Sequence, residues 1–109
     1  MADAGPLVAL FDPADGDHGR CVEALKRMDE PLCTTVPVLT EAFHLLTPGS
    51  QGAAGLIHFI ADGGLAMCLL DAACLDRAFE LMQQYADHPM DLADASLVST
   101  AEARMKREL

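Results

Sequence analysis

The stretch Leu32-Cys33-Thr34-Thr35-Val36-Pro37-Val38-Leu39-Thr40-Glu41-Ala42-Phe43 carries two periodicities back to back. Its opening, residues 32–36, is a short apolar and β-branched run of strand length. Pro37 has no N–H to give a central sheet ladder, but it suits the first turn of a helix. From there Leu39, Ala42, Phe43 and Leu46 recur at i, i+3, i+4 and i+7, the apolar stripe of an amphipathic helix. A strand that runs straight into a helix is the unit from which parallel sheets are built, so the stretch predicts an α/β fold.

The same alternation extends outward. Cys21, Ala24, Leu25 and Met28 form one stripe, Ala53, Leu56, Ile57 and Ile60 another, and Leu75, Ala78, Phe79 and Met82 a third. Each is expected to be a helix with one buried face. Residues 65–70 are a second candidate strand, placed after the helix stop Gly63-Gly64 and before Asp71, an expected N-cap. Residues 7–11 read as either a strand or a short helix, with Pro6 and the preceding Asp3 or Gly5 favouring helix. The last helix is expected to start at Asp91 and to bury Leu97, Val98 and Ala101. Its last turn carries Arg104, Lys106 and Arg107, which suit the helix dipole.

The 109 residues are expected to form one domain, residues 1–109. A chain of this size can bury about 65% of its unfolded surface, enough for a core. Hydrophobic residues make up 51%, which argues against disorder. The longest apolar runs, 6–11 and 65–70, are far too short to span a bilayer, and the N-terminus lacks a signal-peptide pattern. No membrane association and a cytoplasmic location are therefore expected. The net charge of −10 argues against a broad nucleic-acid surface, though not against a nuclease whose acids bind cations. Cys21, Cys33, Cys68 and Cys74 show no CxxC pair or zinc spacing and read as small reduced core residues. The four histidines, His18, His44, His58 and His88, read as surface or hydrogen-bonded groups. Glu41-x-x-His44 lacks the second copy that a carboxylate–histidine iron site needs.

Asp3, Glu41, Asp91 and Asp94 open or line predicted helices. Asp91 and Asp94 stand at i and i+3, on one side of a helix start. In a parallel α/β domain, sites gather where strands end and helices begin, and all four acids lie near such places. Two unit charges about 5 Å apart repel by roughly 3 kcal/mol at an effective dielectric near 20, so gathered carboxylates call for a cation or for protonation. Oxygen-only ligands suit Mg²⁺ or Mn²⁺. On spacing alone, helix capping and solvated edges explain the four acids more readily than ligation does.

Three segments raise the second possibility. The first is Asp3-Ala4-Gly5-Pro6-Leu7-Val8-Ala9-Leu10-Phe11-Asp12, followed by His18 opening a helix. The others are Thr34-Thr35-Val36-Pro37-Val38-Leu39-Thr40-Glu41-Ala42 and Pro89-Met90-Asp91-Leu92-Ala93-Asp94-Ala95-Ser96-Leu97-Val98. In order and spacing they resemble the motifs of a PIN domain, with the VapC-type toxins of bacterial toxin–antitoxin pairs as the nearest subgroup. The resemblance implies an α/β/α sandwich with a parallel central sheet. It implies Mg²⁺- or Mn²⁺-dependent endoribonuclease activity on RNA, an antitoxin partner and a homodimer. It assigns Asp3, Glu41 and Asp94 as catalytic metal ligands, with Asp91 one turn ahead of Asp94 as a further acid. It also implies that this chain is short at its N- and C-terminal strands. The alternative expectation is therefore a catalytically inactive PIN-like binding or dimerisation module.

Overall fold

The computed structural model describes residues 1–87 and 90–108. The expectation for His88 and the proline of the third motif, Pro89, lie outside the described residues. The element order is α1 (Ala4–Phe11), α2 (His18–Lys26), β1 (Leu32–Thr34), α3 (Val36–Leu46), α4 (Gln51–Ala61), β2 (Leu65–Met67), α5 (Ala72–Gln84) and α6 (Leu92–Glu108). The expected α/β alternation is present, and the ambiguous first segment is helical.

β1 and β2 pair in parallel, with Leu32 beside Leu65, Cys33 beside Ala66 and Thr34 beside Met67. One further ladder bond, from Cys68 N to Thr34 O at 2.7 Å, lies beyond the strand ends. On the other side of β1, Ala2 N donates to Cys33 O at 2.7 Å and the Thr34 hydroxyl donates to Ala2 O at 2.6 Å. The chain ahead of α1 thus lies against β1 without forming a full strand. Both predicted strands are shorter than expected. Val36 already belongs to α3 and is 62% exposed, and Leu69 beyond β2 is 82% exposed. Apolar character marked these residues as strand, but neither finds a core to enter.

The helix signals hold more closely. Pro37 lies in the first turn of α3, and Asp71 caps α5 by accepting from Cys74 N at 2.8 Å. α4 stops as Gly63-Gly64 predicted. Gly63 adopts φ +82°, Gly63 N bonds to Ile60 O at 3.0 Å, and Gly64 N bonds to Phe59 O at 2.8 Å. These are the two bonds of a Schellman stop, and a side chain at Gly63 would be strained.

The main core gathers Leu7 of α1, Val38, Ala42 and Leu46 of α3, Ala53 and Leu56 of α4, Leu65 of β2 and Ala93 of α6. A second cluster joins α5 to α6 through Ala78, Leu81 and Ala95. α2 has no fully buried residue, and Met28 of its stripe is exposed. That stripe lines an apolar groove with Met1, Leu7, Leu10 and Leu32 instead of closing a core. On α6 the expected apolar face is also displaced. Val98 is exposed, and the helix buries Ala93, Ala95, Ser96, Ser99 and Thr100. Small side chains allow α6 to lie close to α3 and α5, and each buried hydroxyl has an acceptor, as burial requires. Among the described residues, no helix is long and apolar enough to cross a membrane.

Candidate carboxylate site

The fold carries Asp3, Glu41, Asp91 and Asp94 to one region. Asp3 ends the segment paired with β1 and caps α1, its Oδ1 accepting from Ala4 N at 2.7 Å. Glu41 stands half-buried in the second turn of α3. Asp91 precedes α6, and its Oδ1 accepts from Asp94 N at 2.9 Å. Asp94 is half-buried in the first turn of α6. α3 packs against both α1 and α6. The starts of α3 and α6 line one groove, and their partial positive charge favours anions there.

The carboxylates act on two of their number. Burial, then Asp91, Asp3 and Asp94 in that order, holds the Glu41 carboxyl above its ordinary value. Burial, Asp91 and Asp3 do the same to Asp94, and a hydrogen bond with Asp91 adds to the shift. All the side-chain charges moving these two groups are negative. Capping by Asp3 and Asp91, expected on spacing alone, is real, but it does not disperse the acids. Each capping carboxylate uses one oxygen for its helix, which leaves the second for another partner.

Glu41 and Asp91 face each other across an open groove of about 540 Å³, lined also by Val36, Pro37, Thr40 and Leu92. Among the described residues, however, no three Asp, Glu, His or Cys side chains are close enough to ligate one ion together. The donor chemistry fits a hard divalent cation, and Mg²⁺ is commonly held by one or two carboxylates with water completing its shell. Among the described residues, the histidines lie elsewhere. His18 Nδ1 lies 2.7 Å from Ala9 O, and His44 and His58 are exposed on their helices.

Motif reading missed the hydroxyls that hold this region together. Thr35, the N-cap of α3, and Ser96, two residues after Asp94, are both fully buried. Their oxygens are 2.6 Å apart, and Ser96 also donates to Ala93 O at 2.7 Å. One hydrogen bond thus ties the helix carrying Glu41 to the helix carrying Asp94. The available signal was the spacing Ala93, Ser96, Thr100, a small-residue stripe at i, i+3 and i+7.

The PIN domain family model matches residues 1–105. This chain belongs to the PIN domain family. Over its whole length the PIN chain is 25% identical to ribonuclease VapC26 of Mycobacterium tuberculosis, covering 82% of that protein. In three dimensions it is similar to the crystal structure of Mycobacterium tuberculosis VapC20, described as a toxin that cleaves the sarcin–ricin loop. The TM-score is 0.83 at 17% identity, over 94% of this chain and 80% of the other. The VapC-type PIN fold expected from the three motifs is therefore present, in a mixed architecture of six helices and a parallel pair of strands among the described residues.

Proposed function

We propose that this PIN domain, taken as one unit over residues 1–109, is a divalent-metal-dependent endoribonuclease and the toxin half of a toxin–antitoxin pair. The observation that carries the reading is that Glu41 and Asp94 are both held above their ordinary values by burial and by neighbouring Asp91 and Asp3, which cap α6 and α1. Similarity to a named VapC ribonuclease along the whole chain supports the reaction class.

Asp3, Glu41 and Asp94 would hold Mg²⁺ or Mn²⁺ through carboxylate oxygens, with Asp91 beside them. When bound, such an ion lowers the pKa of a water and stabilises charge building on a phosphodiester. The chain's own contribution is positioning. The Asp3 and Asp91 caps fix two carboxylates to helix starts, and the Thr35–Ser96 bond fixes the distance between α3 and α6. Burial and the charges of Asp91, Asp3 and Asp94 hold the Glu41 carboxyl above its ordinary value, and a bound cation would relieve that repulsion. With a net charge of −10, the chain is expected to engage RNA chiefly at this groove, once a cation has offset its acids.

The same reading includes a homodimer, an antitoxin partner and a cytoplasmic location. Exposed Val36, Leu45, Ile57 and Met105 are apolar surface that association would cover. The second reading, a binding or dimerisation module without catalysis, draws on the open spacing of the acids.

Cleavage of a labelled structured RNA by purified protein, with and without Mn²⁺, separates the two. The nuclease reading predicts Mn²⁺-dependent cleavage that Asp94→Asn and Glu41→Gln each lower by at least about 10²-fold, the scale of lost electrostatic stabilisation. Absence of cleavage from wild type under every divalent ion, with folding intact, favours the binding module.

A further inference from the structure

Away from the carboxylates, a second cluster of reactive side chains has no part in the proposed reaction. Cys33 lies in β1, and Cys68 follows the last residue of β2. The register sets Cys33 beside Ala66, so Cys68, two residues on, has its side chain on the same face of the sheet. The bond from Cys68 N to Thr34 O holds it there. The two thiols are close enough for Cys33 to influence Cys68, and Arg104 of α6 lines the same cleft as both. Its Nη1 lies 3.0 Å from Cys33 Sγ.

Cys33 is buried and Cys68 half-buried, but both line a cleft of about 360 Å³ with Glu30, Pro31, Met67 and Arg104. A small oxidant can enter from that side. Of the other two cysteines, Cys21 lines the apolar α1–α2 groove, while Cys74, buried at the start of α5, shares a second cleft with Cys68 and Arg104 but lies on a helix rather than on the strand pair.

We propose that Cys33 and Cys68 form a dithiol site that hydroperoxides convert to an intramolecular disulfide, independently of the nuclease reading. One thiolate attacks the peroxide O–O bond and becomes a sulfenic acid, releasing hydroxide (or alkoxide). The second thiolate attacks that sulfur and displaces hydroxide, and both leaving groups take up the thiol protons. With hydrogen peroxide the balance is two thiols and one peroxide to one disulfide and two waters. The Arg104 guanidinium supplies the positive charge that a thiolate needs in a partly buried cleft. Burial and the Cys33 neighbour hold the Cys68 thiol above its ordinary value, and Arg104 opposes them.

The test is peptide mapping of the folded protein after hydrogen peroxide treatment, alkylation and digestion without reductant. The expected product is a Cys33–Cys68 linked peptide pair, lighter by two hydrogens and released by dithiothreitol. It should persist in Cys21→Ala, be lost in Cys68→Ser, and form several-fold more slowly in Arg104→Met. Cys68→Ser changes a half-buried position, so it remains informative if Cys33→Ser does not fold. Isolated oxidation of Cys68 with Cys33 still alkylatable overturns the proposal. So does a link that forms as fast in urea-unfolded protein.

Discussion

At the scale of single residues, the acids that are proposed to work are also the acids that weaken the fold. Glu41 and Asp94 are raised in the folded state by burial and by acid neighbours. Between the ordinary carboxylate value and the raised one, the folded protein binds more protons than the unfolded chain. Their contribution therefore falls as pH rises through that window, and the penalty is complete above the folded value. Glu102 behaves oppositely. Its bidentate bond with Arg77, at 2.9 and 3.2 Å, lowers it, so its contribution is present above the ordinary value and is lost as pH falls. Asp94→Asn should accordingly stabilise the metal-free protein at pH 7, by roughly 0.5–1 kcal/mol for a partly exposed like-charge contact. Urea titrations at pH 7 and pH 5 check this, and the gain should shrink at the lower pH. The buried Thr35–Ser96 bond makes a second prediction. Thr35→Val removes a partner from a fully buried hydroxyl and should cost about 1–3 kcal/mol. Thr35→Ser keeps the oxygen and should recover most of that loss in the same titration.

At the scale of elements, what could be read from sequence was what local chemistry decides. Pro37 set the start of α3, Asp71 capped α5, and Gly63-Gly64 stopped α4, each through bonds that the adjacent residues themselves make. Asp3 and Asp91 cap helices, Asp94 lies in the first turn of α6 and Glu41 on α3, all positions that the sequence offered. What could not be read was decided by neighbours distant in sequence. Residues 65–70 looked like a strand throughout, yet β2 ends at Met67, one ladder bond from Cys68 N follows it, and Leu69 finds no core. The α6 face was misplaced because Ser96, Ser99 and Thr100 look like surface residues until their partners at the α3 N-cap, on α5 and on α6 itself are known. The Thr35–Ser96 tie spans 61 positions, beyond the reach of any periodicity. Close helix packing supplies a test here. A Cβ at Gly52 of α4 would sit 2.8 Å from Phe11 O and 3.0 Å from Leu46 Cδ2. The carbonyl cannot swing aside as a flexible side chain can, so Gly52→Ala should lose about 1–3 kcal/mol despite alanine's better helix propensity. Thermal melting of the variant measures it.

At the scale of the whole molecule, packing energy and charge pull in different directions. Leu7, Val38, Leu56 and Leu65 draw α1, α3, α4 and β2 around one core, and in doing so they bring three helix N-termini and four acids together. A chain of net charge −10 that gathers acids at one groove gains stability from a cation bound there, in proportion to occupancy. The direct measurement is the thermal midpoint of wild type and Asp94→Asn across a Mn²⁺ titration at pH 7. The predicted result has the wild type starting below the variant and climbing past it. The gain should approach about 2.7 kcal/mol at a hundred times the dissociation constant, while Asp94→Asn stays nearly flat. Parallel rises in the two proteins, or no rise in wild type, would contradict a cation site built on these carboxylates.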